Sequence, residues 1–232
     1  MPDKIKILCT RALGAELVEE AASVGIRITE LSFINTVPIQ SIDVQQEIEQ
    51  ALLQSITVVF TSMNAVEAVR YYKEDNLPNW EIYCMGTTTR HLVASYFGEA
   101  LIAGTGNDAT SLAEEVIANG NTKEVWFFCG DQRRDELPGI LSAEGIEVNE
   151  ITVYQTLEVP HRVQEHYNGI LFFSPSAVTS FFKQNKVAVD TVLFAIGSTT
   201  AQCIKEFSNN TIITGEEPGK ANLVRKMMEY FT

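Results

Sequence analysis

Short apolar runs separated by longer amphipathic stretches form the main pattern of this chain. Runs such as 56–60 (ITVVF) and 169–173 (GILFF) are continuous and rich in β-branched and aromatic residues, which is typical of strands covered on both faces. The stretches between them repeat apolar residues at helical spacing, as Leu13, Leu17 and Ala21 do. Alternation of this kind predicts an α/β fold built on a doubly wound parallel sheet.

The same pattern occurs twice along the chain. Residues 5–36 align with residues 125–156 without a gap at an offset of 120, and later segments align at offsets of 112 and then 111 residues. The later matches pair 59–66 (VFTSMNAV) with 171–178 (LFFSPSAV), and 84–89 (CMGTTT) with 195–200 (AIGSTT). Each copy is predicted to contain a strand, a helix and a strand, followed by three strand–helix pairs. We interpret this as an internal duplication that gives two similar lobes.

The residues leave the boundary between the lobes open. A sequential division at the polar stretch 119–124 (NGNTKE) is the simplest, and the residues by themselves favour it. Segments 35–40 (NTVPIQ) and 155–162 (QTLEVPHR) also look like linkers, because each carries a proline and follows the early part of its copy. Both are extended enough to pair as two strands between the lobes.

The two copies agree best at four turns where a strand should give way to a helix. These turns are 61–66, 86–90, 174–178 and 197–201. Each places Ser or Thr where a helix should begin, as an N-cap would. A plain cap explains any one turn. Four together, at the sheet edge where open α/β folds bind ligands, predict a cleft lined by hydroxyls and free amides that binds carboxylate or phosphate. Each lobe would supply one wall.

Composition and charge exclude several classes of function. A formal net charge of −13 argues against nucleic acid and anionic membranes as partners. The apolar runs are too short to span a membrane, and the N-terminal residues lack a targeting pattern, so a cytoplasmic protein is expected. No Walker A sequence, GxGxxG, GxSxG or metal-spaced His pair occurs, so neither a nucleotide nor a metal cofactor is expected. The cysteines form no CxxC pair and are expected to be reduced thiols: Cys9, Cys84, Cys129 and Cys203.

These motifs, in this order, resemble the uroporphyrinogen-III synthase family over nearly the whole chain. The most specific part is 130–156, GDQRRDELPGILSAEGIEVNEITVYQT. The family's recurring Gly, Arg, Leu, Gly and Tyr correspond to Gly130, Arg134, Leu137, Gly145 and Tyr154. The chain departs from the family at Ala12, where many members have proline, and in 30–34, which lacks a common proline.

The resemblance implies that the two lobes exchange their early pieces. One lobe would combine 1–35 with 160–232, and the other would be 41–152. The linkers 36–40 and 153–159 would then pair as a short two-stranded ladder.

The resemblance also implies a reaction. Members of this family are lyases of haem biosynthesis that convert hydroxymethylbilane, a linear tetrapyrrole with eight carboxylates, into uroporphyrinogen III. The terminal hydroxymethyl group loses water, an azafulvene forms, and the ring closes through a spiro intermediate with its last pyrrole inverted. Without the enzyme the bilane closes without inversion. No cofactor is implied, and we expect a monomer, because the duplication already supplies two walls.

The resemblance and the matching turns together nominate site residues. Tyr154 is the catalytic candidate, as a hydrogen-bond donor or acid to the departing hydroxyl, although a strand tyrosine that packs the linker would look the same. The substrate-binding candidates are Arg11, Ser62, Thr88, Thr89, Gly130, Arg134, Ser174, Ser176, Gly197, Thr199 and Thr200. Surface ion pairs would explain the two arginines equally well. Arg133 is expected to be solvated.

Two other classes of protein share this pattern of elements. A two-lobe binding protein could close on a small anion without catalysis, but the N-terminal sequence shows no export signal. A nucleotide-dependent enzyme with two doubly wound lobes, such as a glycosyltransferase, would need a phosphate-binding loop that the sequence lacks.

Overall fold

The chain forms two units, each built around its own sheet. The structure is a computed structural model that describes residues 5–73, 77–215 and 219–232. The first unit comprises Met1–Asn35 and Leu157–Thr232, and the second unit comprises Thr36–Thr156.

Strands and helices alternate through both units. In chain order the strands are β1 (Ile5–Cys9), β2 (Ile26–Glu30), β3 (Ile34–Pro38), β4 (Ile56–Phe60), β5 (Trp80–Met85), β6 (Ile102–Gly106), β7 (Glu124–Gly130), β8 (Glu147–Glu158), β9 (Gly169–Phe172), β10 (Val192–Ala195) and β11 (Ile212–Thr214). The helices are α1 (Ala15–Ser23), α2 (Ile42–Leu52), α3 (Met63–Arg70), α4 (Gly86–Phe97), α5 (Ala109–Ala118), α6 (Glu136–Ala143), α7 (Pro175–Phe182), α8 (Ser198–Lys205) and α9 (Lys220–Phe231). Among the described residues, no helix is both long and apolar enough to cross a membrane.

The first unit is a parallel sheet in the order β11-β10-β9-β1-β2. Successive strand residues point to opposite faces, and both faces are buried. Phe194 packs on one face with Leu223 of α9, whereas Leu193 packs on the other with Val178 of α7 and Ile204 of α8. Helices therefore cover both faces of this sheet, as the continuous apolar runs predict.

The second unit has the sheet order β3-β8-β7-β4-β5-β6. From β8 to β6 in this order, each strand is parallel to its neighbour. Phe60 packs with Val66 of α3 on one face, and Val59 packs with Leu112 of α5 on the other. The predicted α/β class with two doubly wound parallel lobes is confirmed.

Two details differ from what the residues favour. A boundary at 119–124 is wrong, because β7 pairs with β4 and keeps the chain in the second unit's sheet. Helix α2 was not predicted as part of the repeat. It has no helical counterpart in residues 159–168, which accounts for the fall in offset between the two copies.

Replacing Gly106 with alanine should destabilise the second unit. A β-carbon at this position would stand 2.6 Å from the backbone Cα of Leu112, in helix α5. Because backbone atoms of a packed helix move only with the whole helix, we expect the substitution to lower the free energy of unfolding by about 1–3 kcal/mol. Equilibrium denaturation in urea measures this loss.

Gly139→Ala is the matched control. Gly139 lies inside α6, and a β-carbon there would meet nothing within 4 Å. Since alanine restricts the unfolded chain more than glycine does, this variant should be more stable by about 0.4–1 kcal/mol. Equal denaturation midpoints for Gly106→Ala and wild type would contradict the close approach of β6 to α5.

Candidate functional site

The predicted site residues follow the carboxyl ends of strands within each unit. In the first unit, Arg11 comes after β1, and Ser174 and Gly197 come after β9 and β10. In the second unit, Ser62 comes after β4, and Gly130 ends β7. Parallel strands place these ends at one edge of their sheet, so each unit carries its own row of candidate residues.

Each row includes a point where the chain leaves neighbouring strands in opposite directions. In the first unit this point lies between β1 and β9, and in the second unit between β4 and β7. Open α/β sheets bind ligands at such switch points. The guanidinium carbon of Arg11 lies 5.6 Å from the ring centroid of Phe173, so a cation–π contact holds this side chain beside the first switch point.

Serine caps begin two of the helices at these edges. Ser62 accepts a hydrogen bond of 3.2 Å from the amide of Asn64 at the start of α3. Ser174 accepts a hydrogen bond of 3.2 Å from the amide of Ala177 at the start of α7, and the Ser176 hydroxyl lies 3.1 Å from that of Ser174. The prediction of serine caps at these turns is confirmed.

Helices α4 and α8 begin differently from the prediction. Their cap positions are Met85 and Gly197, neither of which makes a side-chain cap bond. The threonines lie inside the first turn: Thr88 and Thr199 are exposed, whereas Thr89 and Thr200 are buried. Threonine caps were therefore the wrong expectation here, because the chain enters each helix before its threonines. No side-chain cap occupies the amides at these two helix starts, which suits an anion better than a capped start does.

The start of helix α5 shows the opposite arrangement. Asp108 accepts from the amide of Ser111, and the Ser111 hydroxyl accepts from the amide of Asp108, which makes a capping box. The hydrogen bond from the Ser111 backbone lowers the pKa of Asp108. A carboxylate of the protein itself therefore occupies this helix start, whereas the starts of α4 and α8 carry no side-chain cap.

The structure brings Tyr154 and Gly130 together. The strand register shifts where β7 ends: Cys129 lies opposite Thr152, and Gly130 lies opposite Tyr154. A β-carbon at Gly130 would stand 2.6 Å from Cε2 and 2.7 Å from the hydroxyl oxygen of Tyr154. The phenol thus lies across the end of β7 in space that only glycine leaves free.

The two arginines after β7 have different surroundings. Arg133 is half-buried and forms ion pairs with Asp135 and Glu150, and its hydrogen bond with Asp135 is the largest cause of its raised pKa. The expectation that Arg133 is a solvated side chain is wrong. Arg134 is exposed, so it is the better placed of the two to meet a ligand.

Sequence reasoning misses Asp131. Its carboxylate accepts a hydrogen bond of 2.9 Å from the amide of Thr156, and its own amide donates to the carbonyl of Tyr154 over 3.1 Å. Its position directly after Gly130 is the sequence signal that could have drawn attention to it.

Two cavities of the first unit contain none of the predicted site residues. One of about 270 Å³ is lined by residues that include His166 and Tyr167. The other, of about 620 Å³, is lined by residues that include Phe182 and Phe207. Both lie towards the amino ends of β9 and β10, away from the edge that carries the candidate residues.

The cysteine thiols are protonated at neutral pH. Cys9, Cys84 and Cys129 are buried in strands, and Cys203 is half-buried in α8. Burial raises the pKa of Cys9 to about 12 and that of Cys84 to about 11, and it raises the pKa of the other two as well. Because the thiolate is the reactive form, none of these residues is suited to act as a nucleophile.

In the native protein at pH 8, the rate at which each thiol is labelled should follow its exposure. Cys203 should react with a disulfide reagent first, while Cys9 and Cys84 should react only as fast as the protein opens. Prompt labelling of Cys9 in the native state would contradict its burial.

The raised pKa values of these thiols also mean that the folded protein keeps protons which the unfolded chain releases. Stability should therefore decline as the pH rises above about 9.

Comparison with known proteins identifies similar sequences and folds. The sequence model of a family described as uroporphyrinogen-III synthase HemD matches residues 15–225. The uroporphyrinogen-III synthetase of Helicobacter pylori has a TM-score of 0.69 at 15% identity, over 97% of this chain and 99% of that chain. A mutant uroporphyrinogen III synthase of Thermus thermophilus has a TM-score of 0.62 at 13% identity, over 97% of this chain and 98% of that chain. At these identities the two structures show a shared fold, and the sequence model covers most of the chain.

Proposed function

The chain belongs to the uroporphyrinogen-III synthase family, and from that premise we propose how its own residues serve the family's reaction. The reaction is the cyclisation of hydroxymethylbilane in haem biosynthesis, and the enzyme class is lyase. The placement of the Tyr154 phenol over Gly130, at the carboxyl edge of the second unit's sheet, is the observation that carries the assignment of roles.

Tyr154 assists the departure of the terminal hydroxyl. The carbon–oxygen bond of the hydroxymethyl group breaks, and the oxygen leaves as water with the proton that the adjacent pyrrole N–H gives up as the azafulvene forms. A pyrrole carbon of the same chain then attacks the azafulvene, and the proton lost from the carbon that finally closes the ring restores the N–H. The Tyr154 phenol donates a hydrogen bond to the departing oxygen, which stabilises the charge that develops there. Its half-buried ring, packed against the core around Phe128, fixes the direction of the donor.

The open helix starts hold substrate carboxylates. The amides at the first turns of α4 and α8, with the positive ends of those helices, bind carboxylate without added cationic side chains. This local attraction is needed because the protein as a whole carries a charge of −13. The residues that contribute to binding are Arg11, Ser62, Thr88, Thr89, Gly130, Arg134, Ser174, Ser176, Gly197, Thr199 and Thr200.

Most of the catalytic effect comes from geometry. The bilane is reactive by itself, so the enzyme has to select which closure occurs rather than supply a strong nucleophile. Holding reacting ends in a near-attack arrangement contributes about 7–11 kcal/mol in favourable cases. The protonated state of the four thiols agrees with this assignment, because it calls for no nucleophilic side chain.

The protein works as a cytoplasmic monomer without a cofactor or a nucleic-acid partner. Free buried cysteines suit a reducing compartment, and the acidic charge disfavours nucleic acid. The internal duplication, with matching edges in both units, removes the need for a second copy of the chain.

Isomer analysis of the product tests this function. The purified protein is incubated with freshly prepared hydroxymethylbilane, and the products are oxidised and separated by chromatography. We expect isomer III, whereas a parallel sample without protein gives the spontaneous isomer I. Formation of isomer I alone, at the uncatalysed rate, would contradict the proposal.

A further inference from the structure

We propose that Gly130 and Asp131 are positioning residues that hold the Tyr154 phenol in its working orientation. The proposal rests on the proposed role of Tyr154 in ring closure. It assigns to Asp131 a part in the reaction without contact with the substrate, and it gives Gly130 a role beyond leaving room for a ligand.

Gly130 fixes where the phenol lies. The three atoms nearest to an added β-carbon at this position all belong to the outer end of the Tyr154 ring, including its hydroxyl oxygen. The end of a side chain can rotate away, unlike the helix backbone that faces Gly106. A methyl group at Gly130 would therefore turn the phenol aside while leaving the backbone of β7 and β8 in place.

Asp131 fixes the backbone that carries the phenol. Its amide donates to the carbonyl of Tyr154 over 3.1 Å, and its carboxylate accepts from the amide of Thr156 over 2.9 Å. These two bonds hold β8 to the turn after β7 directly beyond the Cα of Tyr154.

The register shift between β7 and β8 adds a third constraint. Val153 is the additional residue on β8 at this point, and it is buried in the core of the second unit. A bulge of this kind re-aims the side chains beside it. With Val153 anchored on one side and the Asp131 bonds on the other, the Cα of Tyr154 has little freedom to move.

The first copy of the repeat shows that the shared fold does not require this arrangement. The positions of Gly130, Asp131 and Tyr154 correspond to Thr10, Arg11 and Ile34. The Thr10 side chain is buried and donates to the carbonyl of Leu171 over 2.8 Å, so it ties two neighbouring strands together. Glycine, aspartate and tyrosine occur together in the second copy, where the phenol has to be placed.

The test compares substitutions in two backgrounds. Gly130→Ala, Asp131→Ala and Asp131→Asn are each made in the wild-type enzyme and in Tyr154→Phe, and kcat and KM for isomer III formation are measured. In the wild-type background, Gly130→Ala and Asp131→Ala should each lower kcat by about 10²-fold, since a misplaced group costs about that much. KM should change little for Asp131→Ala, whereas Gly130→Ala should also raise KM, because Gly130 is among the residues proposed to bind the substrate. Asp131→Asn keeps the accepting oxygen and should retain most of the activity.

The Tyr154→Phe background separates placement from other effects. Without a hydroxyl to place, Gly130→Ala and Asp131→Ala should lower kcat by no more than about twofold, well within the cost of one lost hydrogen bond. Equal losses in both backgrounds, or full activity of both variants in the wild-type background, would overturn the positioning role and leave the role of Tyr154 intact. Full activity of Tyr154→Phe would instead overturn both.

Denaturation midpoints show whether misfolding explains a loss of kcat in these variants. Because the ring can rotate, Gly130→Ala should shift the midpoint far less than Gly106→Ala does. If Gly130→Ala nevertheless fails to fold, the comparison of Asp131→Ala with Asp131→Asn decides the matter: a selective loss of kcat in the alanine variant supports the proposal, and equal kcat values contradict it.

Discussion

Replacing Tyr154 with phenylalanine should lower the rate of ring closure by about 10²- to 10⁴-fold, the range that a positioned proton donor contributes. The ring and its contacts with the core of the second unit remain, so the free energy of unfolding should change little. The rate of isomer III formation under single-turnover conditions measures the effect on chemistry. Because the bilane also closes by itself, the share of isomer I in the product should rise as the enzyme slows.

Tyr71→Phe is the control for the loss of a phenol. Tyr71 is 69% exposed, and it follows helix α3 in the same unit. Its substitution should leave both turnover and isomer ratio at the wild-type values. Wild-type turnover in the Tyr154→Phe variant itself would remove Tyr154 from the reaction.

Placing an acidic side chain at an open helix start should raise the stability of the protein and lower its activity. Thr88→Glu at α4 and Thr199→Glu at α8 add a carboxylate beside amides that no side chain caps. The acid interacts favourably with the helix, so stability should rise by about 0.3–1 kcal/mol. Under the role proposed for these helix starts, the same carboxylate should compete with the carboxylates of the substrate. Loss of one charged hydrogen bond, worth about 1.5–3 kcal/mol, should lower kcat/KM by about 10- to 100-fold, mainly through KM.

Thr88→Gln and Thr199→Gln are the matched controls, because glutamine has the size of glutamate without its charge. Their kcat/KM values should stay closer to wild type, and the gap between Glu and Gln variants should narrow at high ionic strength. Equal kcat/KM values for the two substitutions would show that these helix starts do not bind carboxylate. Thr88 belongs to the second unit and Thr199 to the first, so each pair of Glu and Gln variants tests the helix start of its own unit.

The alternation of strands and helices was predictable because each strand is a short apolar run buried on both faces. Runs such as ITVVF in β4 and GILF in β9 carry that signal locally. The division between units was not predictable from the residues, because it depends on β7 pairing with β4, a contact between distant segments. Helix α2 was not predicted because it has no helical counterpart in the second copy.

The candidate site was predictable as a set of residues but not as a set of contacts. The turns rich in hydroxyl groups predicted where helices begin, but not which residue begins them. Gly86 adopts a φ of +75°, and helix α4 begins before its threonines. The family resemblance named Gly130 and Tyr154 separately. Their contact follows from a shift in strand register that no local pattern encodes.

The discontinuous first unit constrains the order in which the protein can fold as it leaves the ribosome. Strand β1 lies between β2 and β9, so its second neighbour is synthesised only after the whole of the second unit has emerged. The second unit can fold while translation continues. Strand β1, by contrast, lacks one of its two neighbouring strands until the carboxyl-terminal third of the chain is synthesised. During that interval the unpaired edge of β1 is open to association with strands of other chains.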